Sequence, residues 1–271
     1  MTLPGVRPFS FLTHEDRSDF FISEGIRKHG TWEPLETELI CRLLPLFTMF
    51  IDVGANIGWY TAIAQRVATH RTRIFSFEPE PNNFALLQRN CARLWPWPRT
   101  TLVQKAASDR DGAIQLHLSP SNQGDHRIYS SEESRPYVTV PVTRLDTFFR
   151  NAPLPPSLLK SDTQGSEPRI LRGGRRVLSP NLASSVLILE FWPHGVAASG
   201  EKVEAFIDEL AKLPHQPFLI DNQQMKLLPI TWEVLVARCK QDLAPTTAAF
   251  VDLALLDVES EAYRVVLNLI A

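Results

Sequence analysis

Cysteine is scarce in this chain: Cys41, Cys91 and Cys239 stand far apart, with no C-x-x-C pair. A disulfide framework and a redox or zinc motif are therefore not expected, and the three thiols suit a reducing compartment and an apolar interior. None of the seven histidines falls in an H-x-H or H-E-x-x-H pattern, so no metal is expected. Eighteen consecutive apolar residues occur nowhere, and Met1 to Thr13 lacks a basic segment followed by a long apolar run. Neither a membrane span nor a signal peptide is expected, and the cytoplasm is the default location. Charge of one sign is also missing. A formal net charge of −2 argues against broad binding to nucleic acid, which relies on basic surface. No internal repeat or interdomain linker appears. Pro153-Leu154-Pro155-Pro156 is the strongest break, but 21 prolines are spread along the chain.

The 271 residues suffice for one large α/β domain, burying roughly 70–75% of the unfolded surface. Leu35, Leu39 and Leu43 recur at helical spacing over Pro34 to Leu46, after a mixed amino-terminal arm. Strands are expected over Phe47 to Val53, Arg73 to Phe77 and Thr101 to Ala106, with helices over Trp59 to Ala68 and around Phe84 to Leu94. Trp95-Pro96-Trp97-Pro98 should stop the second helix. Ala113 to Leu118 and Tyr137 to Leu145 alternate as strands do. The polar stretch between them, Ser119 to Arg135, reads as the tip of an inserted extension suited to substrate recognition. Strands then follow over Leu158 to Asp162, Ser185 to Phe191, Gln216 to Ile220 and Ala248 to Leu256. Helices fall over Glu167 to Leu171, Val203 to Leu213 and Trp232 to Lys240. The division expected is an arm and helix over 1–46 covering the cofactor site, then one compact domain over 47–271.

The segment Phe50 to Tyr60 carries the most chemistry. An apolar strand runs into Asp52, then Gly54-Ala55-Asn56-Ile57-Gly58, then a helix. This strand–glycine turn–helix unit opens nucleotide-binding α/β domains. A dinucleotide fingerprint needs glycine where Asn56 stands and again where Trp59 stands. A unit charge near 5 Å from Asp52 would feel about 3 kcal/mol at an effective dielectric near 20. That sign repels a pyrophosphate and attracts the ammonium and sulfonium of S-adenosylmethionine (SAM). Glu78, at the end of the second strand and followed by Pro79, is placed to accept two ribose hydroxyls. Ala106 and Ala107 leave room for adenine, with Ser108 or Asp109 near its amine. Glu33 could meet the methionine ammonium or merely cap a helix, and Trp59 is expected on the pocket rim.

The ordered motifs Asp-Val-Gly-Ala-Asn-Ile-Gly (52–58), Phe77-Glu78-Pro79, Arg144-Leu145-Asp146, Lys160 to Glu167 and Leu189-Glu190-Phe191 resemble the FkbM-type family of class I SAM-dependent methyltransferases. The resemblance covers roughly residues 30–195. It implies a Rossmann-like three-layer α/β sandwich with a seven-stranded, mostly parallel sheet of order 3-2-1-4-5-7-6. It also implies methyl transfer from SAM, which leaves as S-adenosylhomocysteine, to a hydroxyl on a sugar or natural product. Ser161, Thr163 and Gln164 depart from the family's commoner Lys-Ile-Asp-Val-Glu-Gly.

Methyl transfer needs positioning and a proton acceptor, and the candidates are Asp162, His194 and Glu190. Glu190 has a competing role as ion-pair partner of Lys160. Arg169, Arg172, Arg175 and Arg176 form either a solvated helix face or a contact for an anionic or carrier-linked acceptor. No Asn/Asp-Pro-Pro-aromatic motif stands at Asp162, so a nucleic-acid acceptor is disfavoured. Two rivals stay open: a SAM-binding regulatory or scaffold subunit without turnover, and a nicotinamide oxidoreductase, which Asp52 and Asn56 disfavour. The apolar tail Val265, Val266, Leu267, Leu269 and Ile270 leaves a homodimer open.

Overall fold

The structure is a computed structural model that describes residues 6–15, 19–92, 99–120, 122–130 and 135–271. The expected helix stop at residues 95–98 lies outside them. Among the described residues the strands are β1 Met49–Val53, β2 Arg73–Phe77, β3 Arg99–Val103, β4 Ala106–Ala107, β5 Gly112–His117, β6 Tyr137–Thr143, β7 Leu158–Ser161, β8 Val186–Phe191, β9 Gln216–Asp221, β10 Lys226–Pro229 and β11 Val251–Leu256. The helices are α1 Ile22–His29, α2 Pro34–Leu43, α3 Trp59–Val67, α4 Pro81–Cys91, α5 Leu145–Phe148, α6 Glu167–Gly173, α7 Arg175–Leu178, α8 Pro193–Ala198, α9 Val203–Leu210, α10 Trp232–Arg238 and α11 Glu261–Val266.

The main sheet has eight strands in the order β10-β9-β11-β8-β7-β1-β2-β3. The expected seven-strand order is all there, and the eighth strand corrects the count. β10 is a short antiparallel addition to the β9 edge. Parallel pairing joins β3, β2, β1, β7 and β8, whereas β11 runs antiparallel between β8 and β9. Every side chain of β1 and β8 is buried, as strands covered on both faces require. Alternate residues feed two cores. Ile51, Val53, Leu189 and Phe191 pack toward α6, α7, α9 and α10. Phe50, Leu158 and Ile188 pack toward α2, α3 and α11. The result is the expected three-layer sandwich.

The inserted extension is a separate small sheet of order β4-β6-β5, closed over its own core of Ile114, Leu116, Val140 and Val142. Of the apolar tail, Val266 and Leu269 are buried against the α2 side, whereas Leu267 stays exposed. No helix among the described residues is long and apolar enough to cross a membrane.

Candidate active site

Parallel strands place their carboxyl ends on one edge of the sheet, where open α/β folds bind ligands. Here the turns after β1, β2 and β7 and the start of β4 line a cleft. Gly54, Asn56, Glu78, Pro79, Ala107 and Asp162 all line it. The turn after β1 explains its own sequence. Gly54 has φ +82°, and a Cβ there would stand 2.0 Å from the carbonyl oxygen of Asp162. The Gly54 and Ala55 N–H groups donate to the Phe77 carbonyl at 3.0 and 2.9 Å, tying the turn to the end of β2. Asn56 holds a left-handed φ of +49°, which asparagine tolerates better than most residues.

Glu78 is fixed by two backbone donors. Its Oε2 accepts the Asn56 N–H at 2.8 Å and its Oε1 accepts the Glu80 N–H at 2.8 Å. Each oxygen keeps a second lone pair. Burial pushes its pKa up to about 8 against the lowering effect of those two donors.

Asp162 is held by the Lys160 ammonium at 3.0 Å and the Gln164 side-chain amide at 3.3 Å. Burial opposes the charge on Lys160, yet the surrounding Asp162, Glu36, Glu33 and Asp52 keep its pKa above the usual lysine value. Lys160 lies 3.9 Å from Glu36. Tyr60 donates to Glu36 at 3.0 Å and also to Glu33. Glu33, with φ +39° at the start of α2, belongs to this buried network and not to the cleft lining. Asp52 also lies outside the cleft lining. Its Oδ2 accepts the Thr61 hydroxyl at 2.8 Å, and burial pushes its pKa up to about 6. Its Oδ1 has no partner among the described residues.

Several expected site residues turn elsewhere. Trp59 is a core residue, not a rim residue: it is buried, donates its indole N–H to Thr37 Oγ1 at 2.8 Å, and packs against Phe9 and Phe11. A Cβ on Gly58 would sit 2.6 Å from Leu87, so that glycine serves the contact of α3 with α4. Ala55 is buried in the same contact, with Phe84, Leu87 and Cys91. Ser108 and Asp109 face α6: a Cβ on Gly173 would meet the Ser108 carbonyl, and Asp109 pairs with Arg172 at 2.8 Å. Glu190 makes no ion pair with Lys160. It accepts the Gln164 N–H at 3.1 Å and the Gln164 amide at 2.8 Å. In the basic cluster, Arg169 and Arg172 are both spent on Glu201.

The segment expected to be a recognition tip folds back over the cleft. The Gln123 carbonyl accepts side-chain amides from Asn56 and Asn83 at 2.9 and 3.0 Å. Gln123, Gly124, His126 and Ile128 line the first cleft, whereas Arg127 and Ser130 line a second, broader one of about 1280 Å³. Burial pulls the His126 imidazole down to about 4, so it is neutral. These residues were silent in the sequence because their placement depends on Asn56 and Asn83, far away in the chain.

His194 lines the second cleft. Its Nδ1 is 2.7 Å from the Pro245 carbonyl, which can only accept. The proton of the neutral ring is therefore on Nδ1, and Nε2 is an unprotonated acceptor. The adjacent Gly195 packs on the Gln164–Gly165 turn, with its Cβ position 2.8 Å from the Gln164 carbonyl. Gln164 thus lines the first cleft and packs against the helix that carries His194.

A glycine turn closed on a buried carboxylate, at the carboxyl edge of such a sheet, is the arrangement of nucleotide-binding α/β folds. A model of the FkbM methyltransferase domain matches residues 52–212, and the chain belongs to that family. It is 29% identical over 177 residues to the 2-O-methyltransferase NoeI of Sinorhizobium fredii, covering 58% of this chain and 70% of that protein. It is 31% identical over 125 residues to the hexuronic acid methyltransferase AglP of Haloferax volcanii, covering 45% of this chain and 48% of that one. The chain thus spans about half the length of the second relative. Among solved structures, the O-methyltransferase TomG from Streptomyces achromogenes aligns over 86% of both chains at 13% identity and a TM-score of 0.48.

Proposed function

We propose that this chain is a SAM-dependent O-methyltransferase acting on a hydroxyl of a small, sugar-like acceptor. The observation that carries the reading is Glu78, locked by the Asn56 and Glu80 N–H groups with lone pairs left for a ribose diol. The donor set fits the group. Asp162 lines the cleft, which suits a cation, and the buried Ser166 hydroxyl beside it has no partner among the described residues. Glu78 would take the ribose hydroxyls, the Gly54–Asn56 backbone would follow the nucleoside, and Asp162 would face the cationic end. The names of the two curated relatives, a 2-O-methyltransferase and a hexuronic acid methyltransferase, support a sugar hydroxyl as acceptor.

When bound, SAM supplies an electrophilic methyl group on a sulfonium. The protein's task is to align the acceptor oxygen and remove its proton. His194 is suited to that step, because the Pro245 carbonyl fixes the tautomer that leaves Nε2 basic. Asp162 is engaged by Lys160, and Glu190 by Gln164. His194 Nε2 would take the hydroxyl proton as the acceptor oxygen is methylated, and the imidazolium would later lose it to water.

Calorimetry with S-adenosylhomocysteine and NAD tests the cofactor: binding of the first alone is expected, and binding of NAD alone would overturn the reading. Transfer of tritium from methyl-labelled SAM into a glycan or metabolite pool tests turnover against a purely regulatory SAM-binding role.

A further inference from the structure

Two clefts lie on either side of the 123–130 segment. Glu78, Asp162 and Lys105 line the first. Among the described residues no carboxylate lines the second, whose charged group is the Arg127 guanidinium. That side chain is nine-tenths buried, and Asp125 holds its Nε and Nη2 at 2.7 and 3.0 Å. The guanidinium lies over the Trp192 indole, 4.7 Å from the ring centroid. Its Nη1 donors make no hydrogen bond among the described residues, and neither does the buried Trp192 indole N–H. The Trp192 ring also sits 5.2 Å from the His194 ring. One buried platform therefore orients both a guanidinium edge and the imidazole. Ser130, Thr246 and Thr247 add hydroxyls to the lining, and Ala197 and Ala198 keep it open.

We propose that this second cleft is the acceptor subsite and that it takes an anionic, polyhydroxylated acceptor, a sugar bearing a carboxylate or a phosphate. The anionic oxygens meet the Nη1 edge of Arg127 while the reacting hydroxyl meets Nε2 of His194. A single oriented guanidinium matches one planar or tetrahedral anion, not a polyanion, and the hydroxyl rim matches the remaining ring oxygens. This inference rests on the first cleft being the cofactor site.

The test is calorimetry on the full chain, first with S-adenosylhomocysteine, then on the loaded protein with p-nitrophenyl β-D-glucuronide, glucose 1-phosphate and p-nitrophenyl β-D-glucoside. At least one charged probe should bind tenfold or more tighter than the glucoside, and whichever binds tighter identifies the anion. Arg127→Gln should erase that preference and leave S-adenosylhomocysteine affinity unchanged. Because Arg127 also pairs with Asp125, Ala198→Asp gives an independent arm. It places a carboxylate on the cleft wall without touching that pair, and should weaken the charged probes at least fivefold while sparing the glucoside. Equal binding of charged and neutral probes, binding of none, or an Ala198→Asp effect under twofold would overturn the inference and leave the cofactor assignment standing. Failure of S-adenosylhomocysteine itself to bind would instead strike the proposed function.

Discussion

Glu190 holds Gln164 at both ends, accepting its backbone N–H at 3.1 Å and its side-chain amide at 2.8 Å. Gln164 sits at a left-handed φ of +58°, a conformation that costs a non-glycine residue about 1–2 kcal/mol and persists only where its surroundings impose it. Tyr129 completes the clamp by donating to the Gln164 carbonyl at 2.5 Å. Burial, with Asp162 and Glu167 nearby, raises the Glu190 pKa well above its ordinary value; an amide keeps its size and one acceptor oxygen but puts an N–H donor where the second oxygen accepts. Glu190→Gln should keep turnover within about tenfold, and Glu190→Ala should lose about a hundredfold or more as the turn between the clefts relaxes, on the scale expected when catalytic geometry is displaced. Equal inactivation of the two variants would make Glu190 a proton acceptor instead of a strut.

His194 supplies the sharper kinetic test. His194→Gln should lower kcat by about 10²–10⁴, the usual range for a lost general base. Affinity for S-adenosylhomocysteine should not change, because His194 lines the second cleft and not the first. Near-normal turnover of the variant would return the role to Asp162.

The elements of the sheet are legible in the sequence wherever a fully buried strand must be almost continuously apolar, as Val186 to Phe191 is but for Glu190. The turn at 52–58 and Glu78 are legible because backbone geometry restricts the residue types there. Trp59 is not: an aromatic after a glycine turn can face the rim or the core, and the choice depends on Phe9, Phe11 and Thr37. The helix Pro193–Ala198 is too short to show a period, and Pro-His-Gly reads as a turn. β10 is four residues on a sheet edge. Arg127 and His126 sit one residue apart yet face different clefts, an alternation imposed by the small sheet and the Asn56 and Asn83 side chains.

Gly54 and Gly30 separate two costs of an added Cβ. Both have positive φ, +82° and +71°, but a Cβ at Gly30 meets nothing within 4 Å, whereas at Gly54 it meets the Asp162 carbonyl oxygen at 2.0 Å. Gly30→Ala should cost only the conformational term, about 1–2 kcal/mol. Gly54→Ala should add overpacking of about 1–3 kcal/mol and abolish S-adenosylhomocysteine binding, since that backbone lines the cleft. Chemical denaturation of the two variants measures the difference. Equal losses would mean that the strand ends yield without penalty.

Glu36 makes the stability of the protein depend on pH. It is buried on α2 beneath Tyr60, faces Lys160 at 3.9 Å, and feels Asp252 and Asp162 as like charges. Desolvation, followed by Asp252, pushes its pKa from 4.5 to about 8. Between those two values the folded state holds a proton that the unfolded state has released, so stability must fall as pH rises. The contribution is complete below pH 4.5, declines by about 1.4 kcal/mol per pH unit across the interval, and is gone above pH 8. Glu36→Gln fixes the neutral form in both states. The variant should therefore gain on the wild type as pH rises from 5 to 8, by about 2–4 °C in Tm for each kcal/mol. Residual slope in the variant is expected from Glu78, whose pKa is raised in the same direction. Parallel melting curves for the two proteins across that range would show that Glu36 ionises alike in the folded and unfolded chains.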